Sequence, residues 1–354
     1  MLPFEPPLSP MLGLLADQLP EGEEWQFEPK WDGFRVVVFR EDERLELWSR
    51  DGRPLLRYFP ELDAPLRSAL PDAAVVDGEI VITRGTALDF EGMQLRLHPA
   101  ASRVAKLSRE IPARVVLWDL LADGAEDLRE RPLRERRERL VGRVTENAHV
   151  RVTPATTDRA RAVDWFERFE GAGLDGVMAK RLGDPYRAGK RAMVKVKHVR
   201  TIDAVVAGFR WHKSGEGTEV GSLVLALFDS SGHLRPIGVA ASFTKAERVR
   251  LAAALEPLRD PTDAHPWAAW AGAAQSPEVH SRWNAGRDLS WVALRLERVV
   301  EVSTTQHSST RLRHPAKVVR WRDDKPPSAC TVDQLCVAAA AELGELFPEP
   351  LGGD

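Results

Sequence analysis

The sequence predicts an α+β protein of two domains. Antiparallel sheets with helices packed on them span residues 1–200, and a small Greek-key β-barrel of the OB type spans 203–345. Three observations carry this reading. A chain of 354 residues is long enough for two domains. The first half mixes apolar strand-like runs with charged, leucine-spaced helical segments. Near residues 200–203 the pattern shifts to short strands separated by Gly- and Ser-rich turns, with one helix inserted, which suits a small barrel.

In chain order, FRVVVFR (34–40) and RLELWSR (44–50) flank EDE and predict a hairpin, and AVVDGEIVITR (74–84) predicts a buried strand. ARVVLWDLLA (113–122) is a further apolar strand. EDLRERPLRERRERLVGRV (126–144) carries leucines at helical spacing, with Pro132 at a helix start. DRARAVDWFERFEGAG (158–173) reads as a helix ending at Gly171 or Gly173, and DGVMAKR and AMVKVKH as two short strands. In the second domain TIDAVVAGFRW, EVGSLVLALFD and LRPIGVAASF read as strands, FTKAERVRLAAALEPL as an amphipathic helix, and WVALRLERVVEVS as one more strand. The Gly-rich SGEGTEVGS (214–222) is too loose for a phosphate loop and reads as a long hairpin loop. Residues 259–291, with Trp267, Trp270, Trp283 and Trp291, read as an insertion whose tryptophans pack into a core.

The composition, 43% hydrophobic and 29% charged, is that of a soluble globular protein. No run reaches the roughly 18 apolar residues of a membrane helix, and the proline-rich N-terminus lacks the basic start of a signal peptide, so the expected location is cytoplasmic. Two cysteines, Cys330 and Cys336, exclude a disulfide scaffold and a four-cysteine zinc site. A net charge of -3 argues against a simple nucleic-acid coat. Two acid-free basic runs, 190–200 and 302–322, nevertheless predict a local positive surface.

The chemistry centres on EPKWDGFRVVV (28–38), where Lys30 stands at a turn into an apolar strand. A lysine becomes a covalent nucleophile when burial or neighbouring cations keep its amine partly neutral. Asp77 and Glu79 alternate on one strand and so share a face, as do Lys195 and Lys197. Two lysines side by side on a strand are best tolerated beside a polyanion such as a triphosphate or a nucleic-acid backbone.

Each of these motifs is short. As an ordered set, KWDGFR (30–35), SRDG (49–52), VVDGEIV (75–81), VVLWDLL (115–121), LDGVMAKR (174–181), VKVKH (194–198) and RHPAKVVRWRDDK (313–325) resemble the motifs of covalent nucleotidyltransferases. They are most similar to those of ATP-dependent DNA ligases, and the whole chain resembles the small two-domain bacterial ligases of the C type.

The resemblance implies an adenylyltransferase domain of ATP-grasp-like antiparallel sheets with helices, an OB-fold domain, and a hinge at 197–203. It implies that Lys30 attacks the α-phosphate of ATP, that Glu28 lies by the adenosine, and that Arg35 and Arg50 hold ribose or phosphate. It places Trp118 against adenine, and Glu79 and Asp175 on the ribose hydroxyls or on Mg²⁺ (or Mn²⁺). The family has a glutamate where this chain has Asp175, one methylene shorter, so contact with the metal through water is expected there. Lys195 and Lys197 are implied to contact the α-phosphate and to lower the pKa of Lys30. Arg320, Arg322 and Lys325 are implied to swing over the β- and γ-phosphates. The implied substrate is nicked double-stranded DNA, sealed by a monomeric, nucleoid-associated repair enzyme beside a primase-polymerase or other repair proteins. Alternative readings are an RNA ligase, a capping-type guanylyltransferase, or a non-catalytic nucleic-acid-binding OB protein.

Overall fold

The computed structural model describes residues 1–213, 216–260, 265–267, 290–305, 310–336 and 341–346. They form two units, Met1–Lys197 with the C-terminal residues 341–346, and His198–Val337.

In the first unit the elements are β1 (Leu12–Ala16), β2 (Trp25–Pro29), β3 (Phe34–Glu41), β4 (Arg44–Ser49), α1 (Asp63–Ala69), β5 (Ala73–Arg84), β6 (Ala87–Leu88), α2 (Phe90–Arg96) and α3 (Ala101–Glu110). They continue with β7 (Ala113–Asp123), β8 (Glu126–Asp127), α4 (Leu133–Arg143), β9 (Val150–Val152), α5 (Arg159–Arg168), β10 (Gly176–Arg181) and β11 (Arg191–Lys197). One sheet runs β4-β3-β5-β7-β8, with β6 on β5 and β9 on β7; the other runs β1-β11-β10-β2. The β3–β4 hairpin forms as expected, with Asp42 in the left-handed region at its tip.

Strand alternation divides the core. Val36 and Val38 of β3 join Val76, Ile80 and Ile82 of β5 under the helices. Val37, Phe39 and Val75, on the opposite face of the larger sheet, instead cluster with Met193 and Met178 of the smaller one, so these faces of the two sheets pack together, while Phe27, Val177 and Ala179 on the smaller sheet's other face cluster with Trp165 and Phe169. Asp77 and Glu79 have the parity of Val81 and therefore point between the sheets.

The helix read at 158–173 is shorter than expected. It is capped by the Asp158 side chain, ends at Arg168, and unwinds through a turn to Gly173, whose φ of +89° suits glycine. Helix α1 lies between the hairpin read at 34–50 and the strand read at 74–84, where no helix is expected; its short apolar spacing is below what periodicity resolves.

The second unit holds β12 (Arg200–Trp211), β13 (Val220–Phe228), β14 (Leu234–Ala240), α6 (Lys245–Leu255), β15 (Val292–Ala293), β16 (Val299–Thr304) and β17 (Lys317–Trp321). All pairings among these strands are antiparallel, in the order β14-β13-β12-β16-β17 with β15 also on β12. Helix α6 begins with a complete capping box between Thr244 and Glu247. Between β12 and β13 His212 N–H donates to the Glu219 carbonyl; of the loop expected at 214–222, residues 214 and 215 lie outside the described residues and 220–222 belong to β13.

Two expectations for this part change. The single strand read at 291–303 is two strands, because both pair with β12 and the chain must step outward between them. Leu294 N–H donates to Ala207 O, and Val206 N–H to Arg298 O, around that step. The domain end read at 345 also shifts: Ala341, Leu343 and Leu346 are buried with Trp165 and Phe169 of the first unit. Leu343 N–H donates to Thr86 O, and Glu345 pairs with Arg168 at 2.6 Å. Of the tryptophan-rich segment, Trp267 and Trp291 stack edge-on with His265 in the barrel core, while Trp270 and Trp283 lie outside the described residues.

Candidate active site

Lys30 follows the last residue of β2, and its backbone is clamped to the segment before β10. Lys30 N–H donates to Gly176 O, and Asp175 N–H to Lys30 O. This brings the side chains together: Lys30 Nζ and Lys197 Nζ each lie 2.6 Å from Asp175 Oδ2. Gly176 makes the approach possible. Its φ is +132°, and a Cβ there would lie 2.0 Å from Val196 O. Gly33 serves likewise on the other side, where a Cβ would stand 2.0 Å from Ile80 O, and its N–H reaches Glu79 Oε1 at 3.2 Å.

Electrostatics correct one expectation. Burial lowers the pKa of Lys30, but Asp175, then Asp32 and Glu79, outweigh it, and the net shift is upward. The ligand-free chain therefore holds Lys30 as an ammonium rather than a partly neutral amine. The depressed lysine is Lys195, lowered by burial and then by Lys197, Lys30 and Arg191. Burial raises Glu79 to about 7, against the pull of Arg35 and Lys30.

Trp118 sits at a β-bulge. In the β5–β7 ladder Asp77 faces Asp119 and Gly78 faces Leu117, so Trp118 is the extra residue. A side chain at Gly78 would collide with Val116 O at 2.5 Å. The indole carries the Arg35 guanidinium 4.4 Å from its ring centre and Lys180 Nζ at 5.4 Å. Arg35 is gripped from its own sheet by Asp77, with Nε and Nη2 each at 2.6 Å from a carboxylate oxygen. Glu28 is buried and accepts from Gln26 Nε2 and Lys180 Nζ, both at 2.7 Å.

Lys30, Asp175, Lys195, Lys197, Glu79, Arg35, Trp118 and Glu28 thus belong to the facing parts of the two sheets of the first unit. Arg50 stands at the turn after β4, 64% exposed, with its ion pair to neighbouring Asp51. Arg320, Arg322 and Lys325 belong to the second unit, where Arg320 pairs with Glu301 at 2.6 Å. Arg322 and Lys325 both pair with Asp203, at 2.9 and 2.8 Å. Sequence reasoning assigned no role to Gln26, Lys180, Asp77 or Asp203. The β2–β10 register sets Gln26 opposite Lys180, and that pairing joins residues more than 150 positions apart.

A two-sheet α+β unit that gathers three lysines and two carboxylates, followed by an OB barrel, has the architecture of a nucleotidyltransferase. Residues 10–197 match the model of the ATP dependent DNA ligase domain, and 216–325 that of the ATP dependent DNA ligase C terminal region. The chain belongs to the ATP-dependent DNA ligase family. It is 47% identical to DNA ligase C of Mycobacterium tuberculosis over 98% of this chain and 99% of that one. It is 50% identical to DNA ligase C2 of Mycolicibacterium smegmatis, over 94% and 96% of the two chains. Among solved structures, one from a study of Lig E DNA ligases covers 88% of this chain and 99% of its own, at 18% identity and TM-score 0.53, a likeness of fold.

Proposed function

We propose that the protein seals nicks in double-stranded DNA through a lysyl-AMP intermediate on Lys30. The observation that carries this reading is the convergence of Lys30 and Lys197 on Asp175, at 2.6 Å each, beside Lys195 and Glu79. In the first step Lys30 Nζ passes its proton by way of Asp175, 2.6 Å away, to solvent and attacks the α-phosphate of ATP. A P–N bond forms, and the bond to pyrophosphate breaks. AMP then passes to the 5'-phosphate of the nick, and the 3'-hydroxyl displaces AMP to close the strand.

Residues of this chain divide the work. Trp118 stacks on adenine, Glu28 lies by the adenosine, and Arg35 and Arg50 hold ribose or phosphate with their fork of donors. Lys195 and Lys197 neutralise charge that develops on the α-phosphate. Arg320, Arg322 and Lys325 orient pyrophosphate as it leaves, on a lid hinged at 197–203. Glu79 and Asp175, the carboxylates that flank Lys30, suit Mg²⁺ or Mn²⁺, which take one or two carboxylates with phosphate oxygens and water. When bound, the ion supplies countercharge for the phosphates. No helix among the described residues is long and apolar enough to cross a membrane. A monomer acting at the nucleoid in DNA repair, beside a primase-polymerase or other repair proteins, completes the reading.

The test is intact-mass spectrometry after incubation with ATP and a divalent metal, paired with sealing of a labelled nicked duplex. The wild type gains one AMP and Lys30→Ala gains none. Failure of the wild type to adenylylate, or an adduct formed with GTP alone, overturns the proposal.

A further inference from the structure

Behind the site lies a closed polar ring of which the steps above use Arg35 alone. Tyr186 is 3% exposed, and its hydroxyl donates to Asp77 Oδ2 at 2.6 Å. The same hydroxyl accepts from Met11 N–H at 2.9 Å. Met11 O in turn accepts from Arg35 Nη2 at 3.1 Å, and Arg35 Nε and Nη2 return to Asp77. Arg35, Asp77, Tyr186 and the Met11 backbone therefore close a ring that spans β3, β5, the segment before β11 and the segment before β1.

The ring has a chemical consequence. Asp77 is fully buried and shares strand β5 with Glu79; without a second donor it could tilt toward Arg35 alone. The Tyr186 hydroxyl bonds Asp77 Oδ2, and the Arg35 guanidinium sits 4.4 Å from the centre of the Trp118 ring with two of its nitrogens engaged. Nη1 takes no part in these contacts. A hydrogen-bonded network of this type, centred on a buried carboxylate, specifies one geometry rather than adding much stability.

We infer that Tyr186 is a positioning residue for nucleotide binding: its hydroxyl, through Asp77, orients Arg35 toward the nucleotide. This rests on the reading that Arg35 holds ribose or phosphate. It also ties the N-terminal segment to the pocket through both backbone groups of Met11.

The experiment compares Tyr186→Phe, Arg35→Gln and the double variant in single-turnover lysyl-AMP formation over a range of ATP concentrations. Tyr186→Phe keeps the aromatic ring and loses both the charge-assisted bond to Asp77 and the bond from Met11 N–H, so the apparent KM for ATP is expected to rise roughly tenfold with a smaller change in the limiting rate. In the Arg35→Gln background the same substitution is expected to add less than about twofold, because the residue it positions is gone. An unchanged KM in Tyr186→Phe, or a full effect in both backgrounds, overturns the inference. If Tyr186→Phe fails to fold, Asp77→Asn takes its place in the same cycle, since it keeps the shape of the ring while exchanging an acceptor for a donor. The wild type separates the two hypotheses. No lysyl-AMP in the wild type sinks the ligase reading, whereas an active wild type with an unaltered Tyr186→Phe sinks this inference alone.

Discussion

The Glu79→Gln variant tests the electrostatics of the site through folding stability. Glu79 lies between the two sheets, where burial raises its pKa from 4.5 to about 7. The folded chain therefore binds a proton at Glu79 that the unfolded chain has lost over pH 4.5 to 7. In that window the unfolded state is favoured increasingly as pH rises. Below pH 4.5 the contribution vanishes, and above about 7 it levels off as a full penalty. At 1.36 kcal/mol per unit, the shift amounts to about 3 kcal/mol. Glutamine fills the same space without the charge. The stability of Glu79→Gln minus that of the wild type should thus be small at pH 4.5 and climb to about 3 kcal/mol at pH 8. Urea melts in metal-free buffer across this range measure it, and a carboxyl NMR titration, with the Gln variant assigning the resonance, reads the group directly. A flat difference from pH 4.5 to 8, with a titration midpoint near the ordinary glutamate value, would refute the reasoning.

Two further outcomes follow from packing. Gly176→Ala forces a Cβ to within 2.0 Å of Val196 O at a φ of +132°, and should cost more than about 1 kcal/mol and slow lysyl-AMP formation by displacing Asp175; thermal melts and adduct kinetics that match the wild type would contradict it. Leu343→Ala removes a side chain 1% exposed in the core that holds Trp165 and Phe169, and should destabilise the first unit by about 2–5 kcal/mol. Limited proteolysis in the α5 region should accelerate in step, and unchanged digestion would place residue 343 outside that core.

The main strands and the two-part plan were legible in the sequence, and so was the motif set that makes Lys30 the proposed nucleophile. Strand periodicity and Asp-Gly turns are local signals, and motif order survives any uncertainty in packing. It also placed Asp77 and Glu79 on one face, because alternation needs no tertiary knowledge. It misjudged the charge state of Lys30, since the Lys195 and Lys197 pair was visible while the carboxylate between Lys30 and Lys197 was visible only as a motif residue. Asp175 stands 145 positions from Lys30, and only backbone pairing across Gly176 sets their 2.6 Å contact. The return of residues 341–346 to the first unit was likewise hidden, because three apolar side chains in a short segment have no period that names their core. The Tyr186 ring is of the same kind: a hydroxyl, a carboxylate, a guanidinium and a backbone amide from four separate segments meet only when the sheets close. Periodicity decides which face a residue occupies, whereas register and sheet packing decide whom it meets there.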